Sequence, residues 1–215
     1  YYPNKIKQII GRLNTQNLLE KEEREAVETI TELIEYYKGI FTILSSCAAR
    51  QLEEVTFRRT TIPVQELFDA AGKYFRKVMK NRMEKIELIM EPMEAKVIGD
   101  VNQLRFLFEN LIDEALAVHE EGVIRLQARK DNEYVRFLFT DTRREKSVTE
   151  LNQLFYPNLA RMTSGEKGEL RGTEYLICKQ IIRDHDEFAG RRGCRINAEP
   201  AEGGGFTVYF TIPRR

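Results

Sequence analysis

The 215-residue sequence is poor in the residues that usually mark a metal, redox or membrane function. It holds three cysteines and two histidines, and no pair of them has the spacing of a metal site. An odd number of cysteines without such spacing is typical of buried, reduced thiols in a cytosolic protein. No apolar run reaches the length of a membrane span, and no signal peptide is visible. We therefore expect no structural metal and no direct membrane contact by these residues.

The sequence also lacks net charge, because Lys+Arg and Asp+Glu number 34 each. Nothing in this balance favours nucleic acid or an anionic membrane as a partner. The short basic pairs Arg143–Arg144 and Arg191–Arg192 are predicted to be solvated surface. The sequence begins without Met, and we expect it to be a cytoplasmic fragment of a longer protein, such as the cytoplasmic part of a membrane-bound sensor.

The residues before position 59 repeat apolar side chains at alternating steps of three and four, as in a coiled coil or helical bundle. The repeat is carried by Val27, Ile30, Ile34, Tyr37, Phe41, Leu44 and Ala48. A shorter stretch with the same spacing precedes it, and the polar "NTQN" between the two predicts a turn. A helical hairpin with so narrow an apolar stripe is buried economically by homodimerisation into a four-helix bundle. The alternative is that the long helix packs on the chain's own C-terminal domain.

From residue 59 onward, helical and strand patterns alternate. The order is strand, helix, two short strands, helix, hairpin, long loop, helix and hairpin, which predicts a two-layer α/β sandwich with helices on one face. Asp100 is expected to cap the second helix, whose buried side holds Leu104, Leu107, Phe108, Leu111, Ile112 and Ala115. The sequence therefore predicts an α+β protein with two domains, a helical hairpin over 1–58 and the sandwich over 59–215.

Several stretches of the second domain occur in the order of the ATP-binding boxes of one family. They are "GDVNQLRFLFENLIDEAL", "FLFTDT", "ELNQLFYPNL", "RGTEYLICKQIIRDH" and the closing "RINAEPAEGGGFTVYFTIP". In this order they resemble the N-box, the strand entering the G1 box, the F-box, the G2 box and the last hairpin of sensor histidine kinases. The chain resembles a divergent, Bacteroides-type member of that family, whose ATPase domain has the Bergerat fold of type II topoisomerases and chaperone ATPases. The helical hairpin resembles the family's dimerisation domain.

The resemblance implies a site for ATP and magnesium. The residues that match the family's nucleotide-binding positions are Asn110, Glu114, Asp141, Gly172, Thr173 and Glu174. Asp141 corresponds to the carboxylate that recognises adenine. Glu114 stands where the family has a magnesium-binding asparagine, and a carboxylate can also bind magnesium.

The same resemblance shows where this sequence departs from the family. Arg143 and Glu145 replace glycines after Asp141, and Glu174 and Leu176 replace glycines of the phosphate loop. Glycine at such positions allows close backbone approach to a ligand, and at a helix N-terminus it lets N–H groups wrap phosphates. Glu174 would also repel a triphosphate by about 1 to 4 kcal/mol at a few ångströms.

Two functions therefore remain open from the sequence. The first is a two-component signalling module with a degenerate ATP site and no catalytic residue, which dimerises and signals by conformation to a response regulator or another signalling protein. The second is an active ATP-dependent histidine kinase whose phosphoacceptor histidine lies upstream of Tyr1. Neither His119 nor His185 lies on the helical hairpin, and both are expected to be structural or surface residues.

Overall fold

The computed structural model describes residues 27, 30, 57–80, 82–156 and 174–215. Residues 57–156 and 174–215 belong to one compact unit. Its elements are β1 (Thr60–Pro63), α1 (Val64–Met79), β2 (Ile86–Glu91), β3 (Lys96–Gly99), α2 (Val101–Leu116), β4 (Gly122–Asp131), β5 (Tyr134–Asp141), α3 (Val148–Gln153), α4 (Glu174–Phe188), β6 (Ile196–Pro200) and β7 (Phe206–Pro213). The predicted order of strands and helices is confirmed, and α3 forms within the stretch predicted as a long loop.

Five strands form the main sheet, in the order β2-β4-β5-β7-β6. The β2–β4 pair is parallel and the other pairs are antiparallel. β1 and β3 make a separate two-stranded antiparallel sheet. The two-layer sandwich is confirmed, but β1 and β3 lie outside the main sheet because they pair with each other.

The core lies between the sheet and the helices, as the helical and strand periods predict. All six apolar residues expected on the inner side of α2 are buried. Phe137 of β5 and Phe210 of β7 are register partners whose rings stack at 5.0 Å. Phe108 of α2 lies 5.6 Å from the Phe210 ring, so an aromatic cluster joins the helix to the sheet. Such ring pairs contribute about 0.5 to 1.5 kcal/mol each beyond their burial.

The strand hairpin of β4 and β5 brings Asp141 to the site. The eight residues of β5 alternate between half-buried and buried, and Asp141 is the last buried position. Asp131 and Tyr134 are partners at the closed end of the hairpin, so the open end holds Asp141 beside Ile124. Arg143, two residues beyond this end, donates to the carbonyl of Ala115 in the last turn of α2.

No helix in the described part of the chain has the length and hydropathy that a bilayer crossing requires. Of the seven residues predicted to form a dimer interface, Val27 and Ile30 are described, and both are helical. The Ile30 residue is 46% exposed in the single chain. Ile34, Tyr37, Phe41, Leu44 and Ala48 lie outside the described residues, so the dimer and the domain boundary at 58/59 stay predictions.

Candidate nucleotide site

The helix α2 carries the two N-box positions. Asp100 caps its start, because the carboxylate accepts hydrogen bonds from the backbone N–H groups of Asn102 and Gln103. Asn110 is buried, and its Nδ2 donates to the carbonyl of Phe106 one turn earlier at 2.7 Å. Glu114 is half-buried and lies one turn further along the same helix face. The spacing of the two polar residues on one face is therefore present.

Asp141 is enclosed by arginine. Its side chain and that of Arg143 are each 1% exposed. Arg143 donates from Nε to Oδ1 at 2.8 Å and from Nη2 to Oδ2 at 2.9 Å, a bidentate pair. The backbone N–H of Arg143 and Nε of Arg144 add bonds at 3.0 and 3.2 Å. The carboxylate predicted to accept a hydrogen bond from adenine thus accepts four from the two residues that follow it closely in sequence.

The rest of the Arg143 guanidinium is also bonded inside the protein. Nη2 donates to the carbonyl of Ala115 at 2.6 Å, and Nη1 donates to the carbonyl of Glu120 at 3.1 Å. Gly122, at φ 141°, makes room for this side chain, since a Cβ there would lie 2.8 Å from Cγ of Arg143. A non-glycine residue at this φ would be strained as well.

The prediction that Arg143–Arg144 is solvated surface is wrong. The Arg144 side chain is 14% exposed, and its guanidinium lies 5.8 Å from the ring centroid of Phe206. Both arginines turn inward because a buried carboxylate and helix carbonyls offer them acceptors. The second pair behaves as expected, since the Arg191 and Arg192 side chains are 45% and 73% exposed.

Three arginines satisfy consecutive carbonyls at the C-terminus of α2. Arg144 donates to Glu114 O at 3.3 Å, Arg143 to Ala115 O at 2.6 Å, and Arg82 to Leu116 O at 2.8 Å. The last carbonyls of a helix lack partners within the helix and carry partial negative charge. The last turn of α2 has no basic residue of its own. Arginines from other segments therefore supply the positive charge that stabilises a helix C-terminus.

The region expected to receive phosphates is acidic. Glu174 is the first residue of α4. Burial raises the pKa of Asp113 on α2, and the charge of Glu174 raises it further against the lowering effect of the Tyr74 hydrogen bond. Burial, followed by the charges of Glu174 and Glu114, raises the pKa of the Cys178 thiol. The charge of Glu174 therefore acts on one residue of α2, Asp113, and on one residue of α4, Cys178.

The remaining predicted site residues are only partly placed. Leu176 is half-buried on α4, whereas Gly172 and Thr173 lie outside the described residues. His185 is fully buried and His119 has a 73% exposed side chain. The structure thus brings Asn110 and Glu114 onto one face of α2, and the two arginines join the C-terminus of that helix to Asp141. The role of Arg143 as a partner of Asp141 was missed by the sequence reasoning, although a basic residue two positions after a buried aspartate could have suggested it.

Residues 99–215 match the family described as histidine kinase-, DNA gyrase B- and HSP90-like ATPase. The match covers more than half of the chain. This chain belongs to that family. No curated protein sequence matches it at a significant level.

Solved structures of sensor histidine kinases share the fold. A mycobacterial sensor histidine kinase, MprB, is 18% identical with a TM-score of 0.55, over 73% of this chain and 98% of its own. Full-length ShkA in complex with AMPPNP is 15% identical with a TM-score of 0.61, over 99% of this chain and 46% of its own. Histidine kinase ThkA in complex with the response regulator TrrA is 18% identical with a TM-score of 0.60, over 100% and 59%. At these identities the likeness shows the histidine kinase-type fold.

Proposed function

We propose that the chain is a two-component-type signalling module whose histidine-kinase-like ATPase domain has lost ordinary ATP binding and acts through conformation. The observation that carries the proposal is the buried bidentate pair between Arg143 and Asp141. The domain keeps the fold of an ATPase but fills the predicted adenine position with its own side chain.

The competition between Arg143 and adenine is unequal. An adenine amine offers the Asp141 carboxylate one charge-assisted hydrogen bond, which contributes about 1.5 to 3 kcal/mol net. Displacing one partner of a buried ion pair costs about 3 to 5 kcal/mol. Arg143 would also leave the carbonyls of Ala115 and Glu120. At the middle of these ranges the difference is about 2 kcal/mol, which corresponds to roughly a 30-fold loss of affinity.

The acidic start of α4 adds to this cost. Glu174 stands at the N-terminus of the helix that would receive the phosphates, where a negative side chain interacts favourably with the helix dipole in place of a phosphate. Its field already reaches Asp113 and Cys178. A bound triphosphate would therefore meet like charge on both α2 and α4.

A response regulator is the proposed partner, and the helical hairpin is the proposed homodimer interface. The ThkA–TrrA complex, which is similar to this chain at a TM-score of 0.60 and 18% identity, supports the first suggestion. Signalling would proceed by a change in how the ATPase-like domain presents a partner surface.

The second candidate function is an active kinase that binds Mg-ATP through Asp141, Asn110 and Glu114 and phosphorylates a histidine upstream of Tyr1. Its support is the retention of Asp141 and Asn110 at buried positions and the AMPPNP complex of ShkA, a protein with the same fold. In this case Arg143 would have to leave Asp141 when nucleotide arrives.

Calorimetric titration with Mg-ATP separates the two functions. We expect no binding by the natural sequence up to about 1 mM and at least tenfold tighter binding by Arg143→Gly, which restores the family's glycine. Arg144→Gly is the matched control, because it removes an adjacent arginine whose contact with Asp141 is a single bond at 3.2 Å. Micromolar binding by the natural sequence would sink the proposal and favour the active kinase.

A further inference from the structure

We propose that the residues entering β1, Phe57–Thr60, form a docked linker that controls the N-terminus of α2 through Asp100. The first two of them, Phe57 and Arg58, are the last residues of the 1–58 segment predicted to be the helical hairpin. The helix they reach carries Asn110 and Glu114. This inference goes beyond the proposed function, because it holds whether or not nucleotide binds.

The first contact of the linker is aromatic. The Phe57 ring meets the His185 ring edge-on at a centroid distance of 4.9 Å and lies 5.9 Å from the ring of Phe188. Both partners lie in the last turn of α4, and Phe188 is still 51% exposed. Phe57 therefore packs against the C-terminal end of α4, next to an exposed phenylalanine.

The second contact joins the linker to α2. The backbone N–H of Arg58 donates to Asp100 Oδ2 at 2.9 Å. Asp100 Oδ1 accepts from the N–H groups of Asn102 and Gln103 at 2.9 and 3.1 Å. One buried carboxylate thus holds the linker with one oxygen and the first turn of α2 with the other.

The third contact joins α4 to the residue that caps α2. The backbone N–H of Asp100 donates to His185 Nε2 at 3.1 Å, and His185 Nδ1 donates to the Ile181 carbonyl at 2.8 Å. A Cβ on Gly99 would lie 2.8 Å from the His185 ring, so this junction has no spare room. Thr60 Oγ1 donates to the carbonyl of the same Gly99 at 3.2 Å.

These contacts couple the position of the linker to the start of α2. A displacement of Phe57 would change its contact with His185 and the Arg58–Asp100 hydrogen bond together. Both changes act on Asp100, and Asp100 provides the cap of α2. A change in the segment before Phe57 is therefore transmitted to the N-box helix without contact at the nucleotide site.

Hydrogen exchange of the full chain, followed by mass spectrometry, tests this coupling. Phe57→Ala removes a ring whose contacts lie on α4, and Asp100→Asn keeps a capping oxygen for α2 but loses the acceptor for Arg58. We expect peptides within 99–108 to exchange about tenfold faster in both variants, with no change in peptides of β5. Val148→Ala, at an exposed site on α3, is the control and should alter neither region.

The proposal fails if either variant leaves the peptides within 99–108 unchanged. It also fails if the β5 peptides accelerate by the same factor, because exchange would then report global unfolding. Thermal or nucleotide titrations are not needed for this test, so its outcome is independent of the ATP question.

Discussion

Arg143→Ala should destabilise the folded protein far more than a typical arginine substitution. The side chain is 1% exposed and donates to Asp141 twice, to Ala115 O and to Glu120 O. Its removal leaves the Asp141 carboxylate buried with one arginine at 3.2 Å and a backbone N–H at 3.0 Å. Breaking a buried pair costs about 3 to 5 kcal/mol, and the remaining donors place the expected loss near 3 kcal/mol.

A double-mutant cycle isolates the pair from the rest of the arginine's contacts. Asp141→Asn alone leaves the buried Arg143 charge without a carboxylate partner. It should also cost about 3 kcal/mol, the lower end for a broken buried pair, because two carbonyls still accept from Arg143. The double variant buries no unpaired charge. Because the two residues are in direct contact, their effects should not add, and we expect a coupling energy of at least about 2 kcal/mol.

Urea denaturation at pH 7 and 25 °C, followed by circular dichroism, measures these free energies of unfolding. Arg191→Ala is the control, since its pair with Glu133 is exposed and should change stability by less than about 1 kcal/mol. The prediction is refuted if the free energy of unfolding of Arg143→Ala lies within about 0.5 kcal/mol of that of the natural sequence. A coupling energy near zero would also show that the Arg143–Asp141 pair does not stabilise the fold.

Three further predictions concern Gly122, His185 and the start of α4. Gly122→Ala should destabilise the protein by about 2 kcal/mol or more, because φ is 141° and the added Cβ would lie 2.8 Å from Arg143 Cγ. The loss should be smaller in the Arg143→Gly background, and urea denaturation measures both values. Burial lowers the pKa of His185 below its ordinary value of 6.5, so the unfolded chain binds a proton there that the folded protein does not. The stability should therefore fall as the pH drops from 7.5 to 5.5. Thermal unfolding should show a smaller fall in His185→Gln. Glu174→Gly with Leu176→Gly should raise Mg-ATP affinity in the Arg143→Gly background but not with Arg143 present, by calorimetric titration.

Much of the fold could be predicted because its signals are local. The alternation in β4 and β5, the apolar face of α2 and the Asp100 cap each depend on a few neighbouring residues. The separate β1–β3 sheet could not be predicted in the same way. Pairing of Thr60–Pro63 with Lys96–Gly99 is a contact between distant segments, and nothing in either short strand distinguishes it from a strand of the main sheet.

The residues of the candidate site also differ in whether local sequence could reveal their role. Asp141 and Asn110 could be found because their sequence neighbours resemble family boxes, and the structure buries both. Arg143 was recognised as a lost glycine but not as a new partner. Its burial depends on the carbonyls of Ala115 and Glu120 and on the missing side chain of Gly122, which lie 21 to 28 positions earlier in the sequence.

The position of Arg143 suggests how an ATPase fold can keep its stability without nucleotide. A buried carboxylate without a partner is costly. Here Arg143 supplies that partner, and together with Arg144 it also satisfies carbonyls at the C-terminus of α2. Under the proposed function, arginine in place of the glycine removes the adenine position and puts a structural bond there in one substitution. Reversal to glycine should reopen the place only by giving up that bond, so nucleotide affinity and stability should change in opposite directions.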